Sequence, residues 1–118
     1  MDAVKLNLLV LKTHQLERLK DFYAALGLSF AEERHGEGPP HLAARVGDLV
    51  LELYPLPADA GPADGMTRVG FAVPDLDAAM RSLEALQAVV VSGPKMTEWG
   101  RRAVVRDPDG RAVKMVQG

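Results

Sequence analysis

Apolar positions along the chain follow two different periods, and the switching between them predicts the elements. Leu6-Asn7-Leu8-Leu9-Val10-Leu11 is a run apolar enough for a buried strand, and Thr13 offers a hydroxyl cap to a helix behind it. Leu16, Leu19, Phe22, Tyr23 and Leu26 then recur at spacings of three and four, forming one stripe. Glu17, Arg18, Lys20 and Asp21 cover the opposite side, and Gly27 supplies a left-handed stop. Leu28 to Glu33 reads as a strand. The stretch from His35 to Pro40 fits neither period, because Gly36, Gly38, Pro39 and Pro40 break both, so it predicts an irregular loop. His41 to Val46 and Leu49 to Tyr54 flank Gly47-Asp48 and predict a hairpin.

Pro55 to Gly65 carries prolines, glycines, alanines and aspartates and reads as a surface connection, after which the pattern repeats. Arg68 to Val73 is a strand. Asp75 caps a helix with the apolar stripe Leu76, Ala79, Met80, Leu83 and Leu86. Ala88 to Val91 is a strand that Gly93-Pro94 interrupts, and Trp99 to Arg106 with Arg111 to Gln117 predicts a hairpin around Asp107-Pro108-Asp109-Gly110. Each half therefore reads strand, helix, three strands. The helix entries align at an offset of 60 (75 minus 15) and the hairpins at 62 (109 minus 47). The expected architecture is α+β, a single domain over 1–118. Module 1 spans about 4–55, the linker about 56–66 and module 2 about 67–118, each module a curved four-stranded mixed sheet with one helix packed outside.

Strand alternation sorts the side chains into faces. Leu49, Leu51 and Leu53 face the helix, while His41, Arg45, Glu52 and Tyr54 share the face turned away from it. In the second half Val69, Phe71 and Val73 are helix-facing. Arg68, Gly70 and Ala72 lie on the open face, and counting back from the last turn places Trp99, Arg101, Ala103 and Lys114 there too. A sheet with Trp, Tyr, Arg, Lys, Glu and His on its uncovered face is expected to curve around something.

Composition narrows the chemistry. Among 118 residues, 47% are apolar and none is cysteine, which removes disulfides, thiolate metal sites and cysteine nucleophiles together. Fourteen basic against sixteen acidic side chains give a net charge of −2, too balanced for a nucleic-acid surface. Met1 to Lys5 leading into a short apolar run makes neither a signal peptide nor a membrane span, so a cytoplasmic location is expected. No nucleophile elbow, phosphate loop or dinucleotide fingerprint occurs, and Ser29, Ser82 and Ser92 have no base nearby in sequence.

Three segments in order carry a resemblance. Phe22-Tyr23 with Leu26-Gly27-Leu28, then Phe71-Ala72-Val73-Pro74-Asp75-Leu76-Asp77, then Asp107-Pro108-Asp109-Gly110, within two βαβββ halves, are similar to the vicinal oxygen chelate superfamily. That superfamily includes glyoxalase I, extradiol dioxygenases, fosfomycin-resistance enzymes and bleomycin-resistance binding proteins. The resemblance implies a homodimer whose paired modules curve around a shared cavity. Its metal-dependent members would place ligands at Leu8, Glu52, Arg68 and Lys114. Leucine has no donor atom and the two cations repel a divalent ion, so the expectation is a metal-free protein without a cofactor. His41 could join Glu52 as a displaced ligand, yet two ligands make no closed site, and a partly exposed, locally hydrogen-bonded histidine is expected instead.

Glu52, Arg68 and Lys114 are expected together, either as a salt-bridge cluster or as a cationic surplus that takes an anionic group. The expected function is binding of a small organic ligand, anionic or aromatic. Arg68, Lys114 and Arg101 orient the anion, Trp99 and Tyr54 supply flat contact area beside His41, and the loop 35–40 gates entry. The same resemblance leaves two alternatives. One is a lyase or isomerase using Glu52 as general base. The other is a structural or regulatory dimer with a vestigial cavity.

Overall fold

Period-2 leucines and period-3.6 stripes meet in one core. The computed structural model describes residues 3–118 and runs β1 (Leu8–Thr13), α1 (Leu16–Ala24), β2 (Phe30–Glu33), β3 (His41–Val46), β4 (Leu49–Pro55), β5 (Val69–Val73), α2 (Leu76–Ala85), β6 (Val89–Thr97), β7 (Gly100–Arg106) and β8 (Ala112–Gln117). Two four-stranded sheets result, ordered β1-β4-β3-β2 and β5-β8-β7-β6. In each, the strand before the helix pairs in parallel with the last strand of its own module, and the other neighbours are antiparallel. Val10 pairs with Glu52 and Gly70 with Lys114, the same ladder rung at offsets of 60 and 62 (70 minus 10, 114 minus 52). The fold class is therefore the α+β pair of βαβββ modules that the pattern predicts.

Leu11, Leu51 and Leu53 on one sheet and Val105, Val113 and Met115 on the other are buried with Leu19, Phe22 and Tyr23 of α1 and Leu76, Met80 and Leu83 of α2 in one cluster. Their removal from water is the main stabilising contribution. Asp75 caps α2 as expected, its carboxylate accepting from the Ala78 N–H at 3.0 Å. Thr13 does not cap α1. It ends β1, and its hydroxyl accepts from the Gln15 N–H at 3.0 Å in a local turn, so the helix begins at Leu16. Strand β2 starts at Phe30, two residues later than expected. Strand β6 does not stop at Val91: it runs through Gly93-Pro94 to Thr97, with register irregularities between Val90 and Lys95. As an edge strand it can absorb a proline in a bulge.

The modules are joined by a buried polar network at the last turn. The Tyr23 hydroxyl donates to the Asp107 carboxylate at 2.7 Å. The Arg111 guanidinium, 1% exposed, donates to Asp107 at 3.1 Å, to Asp109 at 3.0 Å and to the Lys12 carbonyl at 3.0 Å. Gln15 adds bonds to the Pro108 carbonyl at 3.0 Å and to Asp109 at 2.8 Å. No helix among the described residues is long and apolar enough to cross a membrane.

Two residues test the network. Tyr23→Phe leaves a charged acceptor short of one donor and should cost about 1.5–3 kcal/mol of stability. Asp107→Ala, which leaves the buried guanidinium with Asp109 as its one carboxylate partner and the Tyr23 hydroxyl without its acceptor, should cost about 3–5 kcal/mol, both read by urea unfolding. Burial and the Asp107 charge push the Tyr23 phenol pKa well above its ordinary value. Above that ordinary value the unfolded chain releases the proton while the folded chain keeps it, so stability falls as pH rises. An absorbance titration should therefore show one of the two tyrosines ionising only as the protein unfolds, and Tyr23→Phe should flatten the alkaline loss.

Candidate functional site

The uncovered face of the first sheet is built by cross-strand pairs. Val10 lies beside Glu52, Glu52 beside Ala43, and Ala43 beside Ala31, while His41 pairs with Glu33 two rungs along, on the same face. Val46 and Leu49 close the two-residue Gly47-Asp48 turn, so the alternation predicted for this hairpin holds and His41, Glu52 and Tyr54 lie together. The Tyr54 ring is stacked on the His41 imidazole, centroids 4.1 Å apart and planes within 10°. Its near face is thus taken by a neighbour rather than offered to a ligand.

His41 is not the partly exposed residue expected. It is 1% exposed, with Nδ1 3.3 Å from the Pro39 carbonyl and Nε2 lacking any hydrogen-bond partner. Around Nε2 stand Glu52 at 3.4 Å and Glu33 at 3.6 Å. His35 Nε2 lies 3.5 Å from Glu33 and 3.9 Å from Glu52. One donor atom from each of the four lies within 4.8 Å of the others. The loop that brings His35 back over the sheet is a closed turn: the Gly38 N–H donates to the His35 carbonyl at 3.0 Å, and Gly36 takes a φ of 58°, a conformation that favours glycine.

The second sheet presents different chemistry. Val104 pairs with Lys114 and Arg102 with Val116, so Arg102, Val104 and Lys114 share the open face with Gly70. Arg68, Arg102 and Lys114 line a hollow of about 450 Å³ with Val69, Gly70 and Ala112. The lysine stem runs beside Gly70, where a Cβ would meet Lys114 Cε at 3.7 Å, an ordinary van der Waals contact. None of the three cations has an ion-pair partner among the described residues. Glu52 therefore does not form the expected cluster with Arg68 and Lys114: its polar neighbours are the two histidines.

Arg101 and Trp99 fall elsewhere. Arg106 pairs with Ala112, so five residues separate the strands, and this odd loop shifts β7 by one residue from the expected phase. Ala103 is buried in the core, and Arg101 pairs with Asp77 on α2 at 2.7 Å. Trp99 sits in the two-residue turn between Thr97 and Gly100, 71% exposed. Arg102 takes the place expected for Arg101. Glu33 is the other residue that sequence reasoning missed, and His35 enters it only as a histidine of the loop 35–40; their separation by two, at the end of a strand leading into a turn back to His41, is the signal that could have joined them to the site.

The superfamily's metal positions do not fit an ion here. Leu8 offers no donor atom, and Arg68 and Lys114, on the second sheet, carry the wrong charge. The donors that do converge, Glu33, His35, His41 and Glu52, all come from one module.

Two βαβββ modules, each a mixed sheet with a helix beside it, define a class of fold shared by ligand-binding proteins and enzymes. The Glyoxalase/Bleomycin resistance protein/Dioxygenase superfamily model matches residues 5–115, and the chain belongs to that superfamily. It is 34% identical over 113 residues to an uncharacterized protein of Mycolicibacterium smegmatis, spanning 96% of this chain and 93% of that one. Among solved structures it is similar to TnmS3, an antibiotic binding protein from Streptomyces sp. CB03234, with 27% identity, 99% and 98% of the two chains covered and a TM-score of 0.73. Lactoylglutathione lyase from Agrobacterium tumefaciens shares the fold at 19% identity, with 100% and 96% covered and a TM-score of 0.69.

The single tryptophan reports directly on the corrected placement. If Trp99 lies at an exposed turn, its emission should resemble that of the unfolded chain and acrylamide should quench it nearly as well. Emission shifted to shorter wavelength and shielded from quencher would mean that a partner copy covers the turn.

Proposed function

We propose that the protein binds a small organic anion on the open face of its second sheet, where Arg68, Arg102 and Lys114 hold the anionic group. The observation that carries this is three cations lining one hollow with no carboxylate among its described lining residues. Cations gathered without counter-charges repel one another, and an anion that bridges them relieves that repulsion while accepting several hydrogen bonds at once. Arginine supplies a planar fork for a carboxylate or phosphate, and lysine a movable point charge. The likeness to TnmS3 supports a binding role over turnover. In the homodimer proposed with this reading, a second copy covers the open face and completes the apolar part of the cavity.

The test is thermal stabilisation by a panel of aromatic and aliphatic carboxylates and phosphate esters, with calorimetry on the strongest. Arg102→Ala and Lys114→Ala should each weaken binding by about ten-fold or more, and added salt should weaken it further. Arg101→Ala should leave affinity unchanged. Absence of stabilisation by every anion in the panel would refute the reading. Sedimentation giving the mass of one chain would refute the dimer.

A further inference from the structure

We propose that Glu33, His35, His41 and Glu52 form a binding site for a divalent transition-metal ion of the zinc or nickel kind, held within the first module alone. The proposal goes beyond the anion-binding reading and does not depend on it, because its four residues and the three cations belong to different sheets. It also differs from the superfamily arrangement, which would distribute ligands over both modules.

Spacing is the first argument. Four donor atoms set tetrahedrally about 2.0–2.2 Å from an ion lie about 3.3–3.6 Å from one another. Of the six separations, the four between nitrogen and oxygen are 3.4, 3.5, 3.6 and 3.9 Å, and all six are within 4.8 Å, so a small side-chain adjustment brings the set to bonding distance. Those four are longer than the usual hydrogen bond of about 2.7–3.2 Å, so the side chains converge without bonding one another.

The second argument is the orphan nitrogen. His41 Nε2 is buried and without a hydrogen-bond partner, an arrangement that costs stability unless something binds it. A carbonyl can only accept, so the Pro39 oxygen at 3.3 Å is matched by a proton on Nδ1, and in that tautomer Nε2 offers its lone pair to an ion lying between it and the two carboxylates. Metal-ligating histidines are oriented by the same kind of outer contact. The stacked Tyr54 ring restricts the imidazole further.

Donor chemistry selects the ion. Two carboxylates neutralise a divalent charge and two neutral imidazoles complete the shell, a set that suits zinc, nickel or cobalt better than magnesium or calcium, which prefer oxygen alone. His41 and Glu52 come from paired strands and form the rigid half of the site. Glu33 and His35, at the end of β2 and in the turn after it, form the half open to solvent.

The experiment uses chelator-treated, dialysed full-length protein, titrated with Zn²⁺ by calorimetry and with Co²⁺ by visible absorption. The expected result is one ion per chain, with the strong visible bands of tetrahedral cobalt. His35→Gln and Glu52→Gln should each lower affinity by about ten-fold or more, and His41→Gln should lower it further. Because His41 is buried and its variant could misfold, the decisive variants are His35→Gln and Glu33→Gln, both at exposed positions. His14→Gln, at an exposed histidine outside the cluster, and Arg102→Ala should bind as the parent does. Failure to bind one ion per chain, or binding that survives both His35→Gln and Glu33→Gln undiminished, overturns the proposal. Loss of the anion response in Arg102→Ala with metal binding intact would separate the two sites.

Discussion

The Asp107–Arg111 pair is the contact on which the relation between the two modules rests. Arg111 is buried and could not be there unpaired, because removing a guanidinium from water costs several kcal/mol unless charge and hydrogen bonds offset it. The turn supplies two carboxylates, and the rest comes from the other module: the Lys12 carbonyl at the end of β1, and the Tyr23 hydroxyl that shares Asp107. An apolar set of similar volume could bury as much surface. It would not specify where the end of β1 and the face of α1 must sit relative to the last hairpin, since hydrophobic contact is non-directional. The network therefore acts mainly on orientation, and through β1 and β8 it sets how the two open faces are presented.

Those faces differ in charge. The ladder rung holding Val10 and Glu52 in one sheet holds Gly70 and Lys114 in the other, so equivalent positions carry opposite charge. Imidazole and carboxylate gather on β2, β3 and β4, while the cations gather on β7, β8 and the entry to β5. A net charge of −2 hides this separation, because the two surfaces nearly cancel in the sum. Charge balance bears on a polyanion partner, but it says nothing about two small sites of opposite character on one chain.

Legibility depends on the length of the turns. Gly47-Asp48 is a two-residue loop, which keeps strand phase, and His41, Glu52 and Tyr54 fall together as alternation predicts. The loop from Asp107 to Arg111 is odd in length, and one residue of slip exchanges Arg101 for Arg102 and sends Ala103 into the core. The extension of β6 across Gly93-Pro94 is hidden from local pattern because only an edge strand tolerates that pair, and edge position depends on strand order rather than on neighbouring residues. The burial of His41 is hidden for a related reason. It comes from Tyr54 stacking over the ring and the 35–38 turn folding back, neither of which a linear pattern displays.

The difference between the two sheets also bears on how a domain of two like modules can hold a ligand shell. Ligands spread over two modules depend on the junction between them, so a slip at the buried Arg111 network moves half of the donors relative to the rest. Donors confined to one hairpin and the adjoining turn depend only on cross-strand pairing, which the leucine face of the same strands already holds in register. With Leu8, Arg68 and Lys114 at the superfamily's positions, a shell spanning the modules cannot close. Glu52 alone remains, and the side chains able to complete a set around it must come from β2, β3 and the turn between them, where Glu33, His35 and His41 stand.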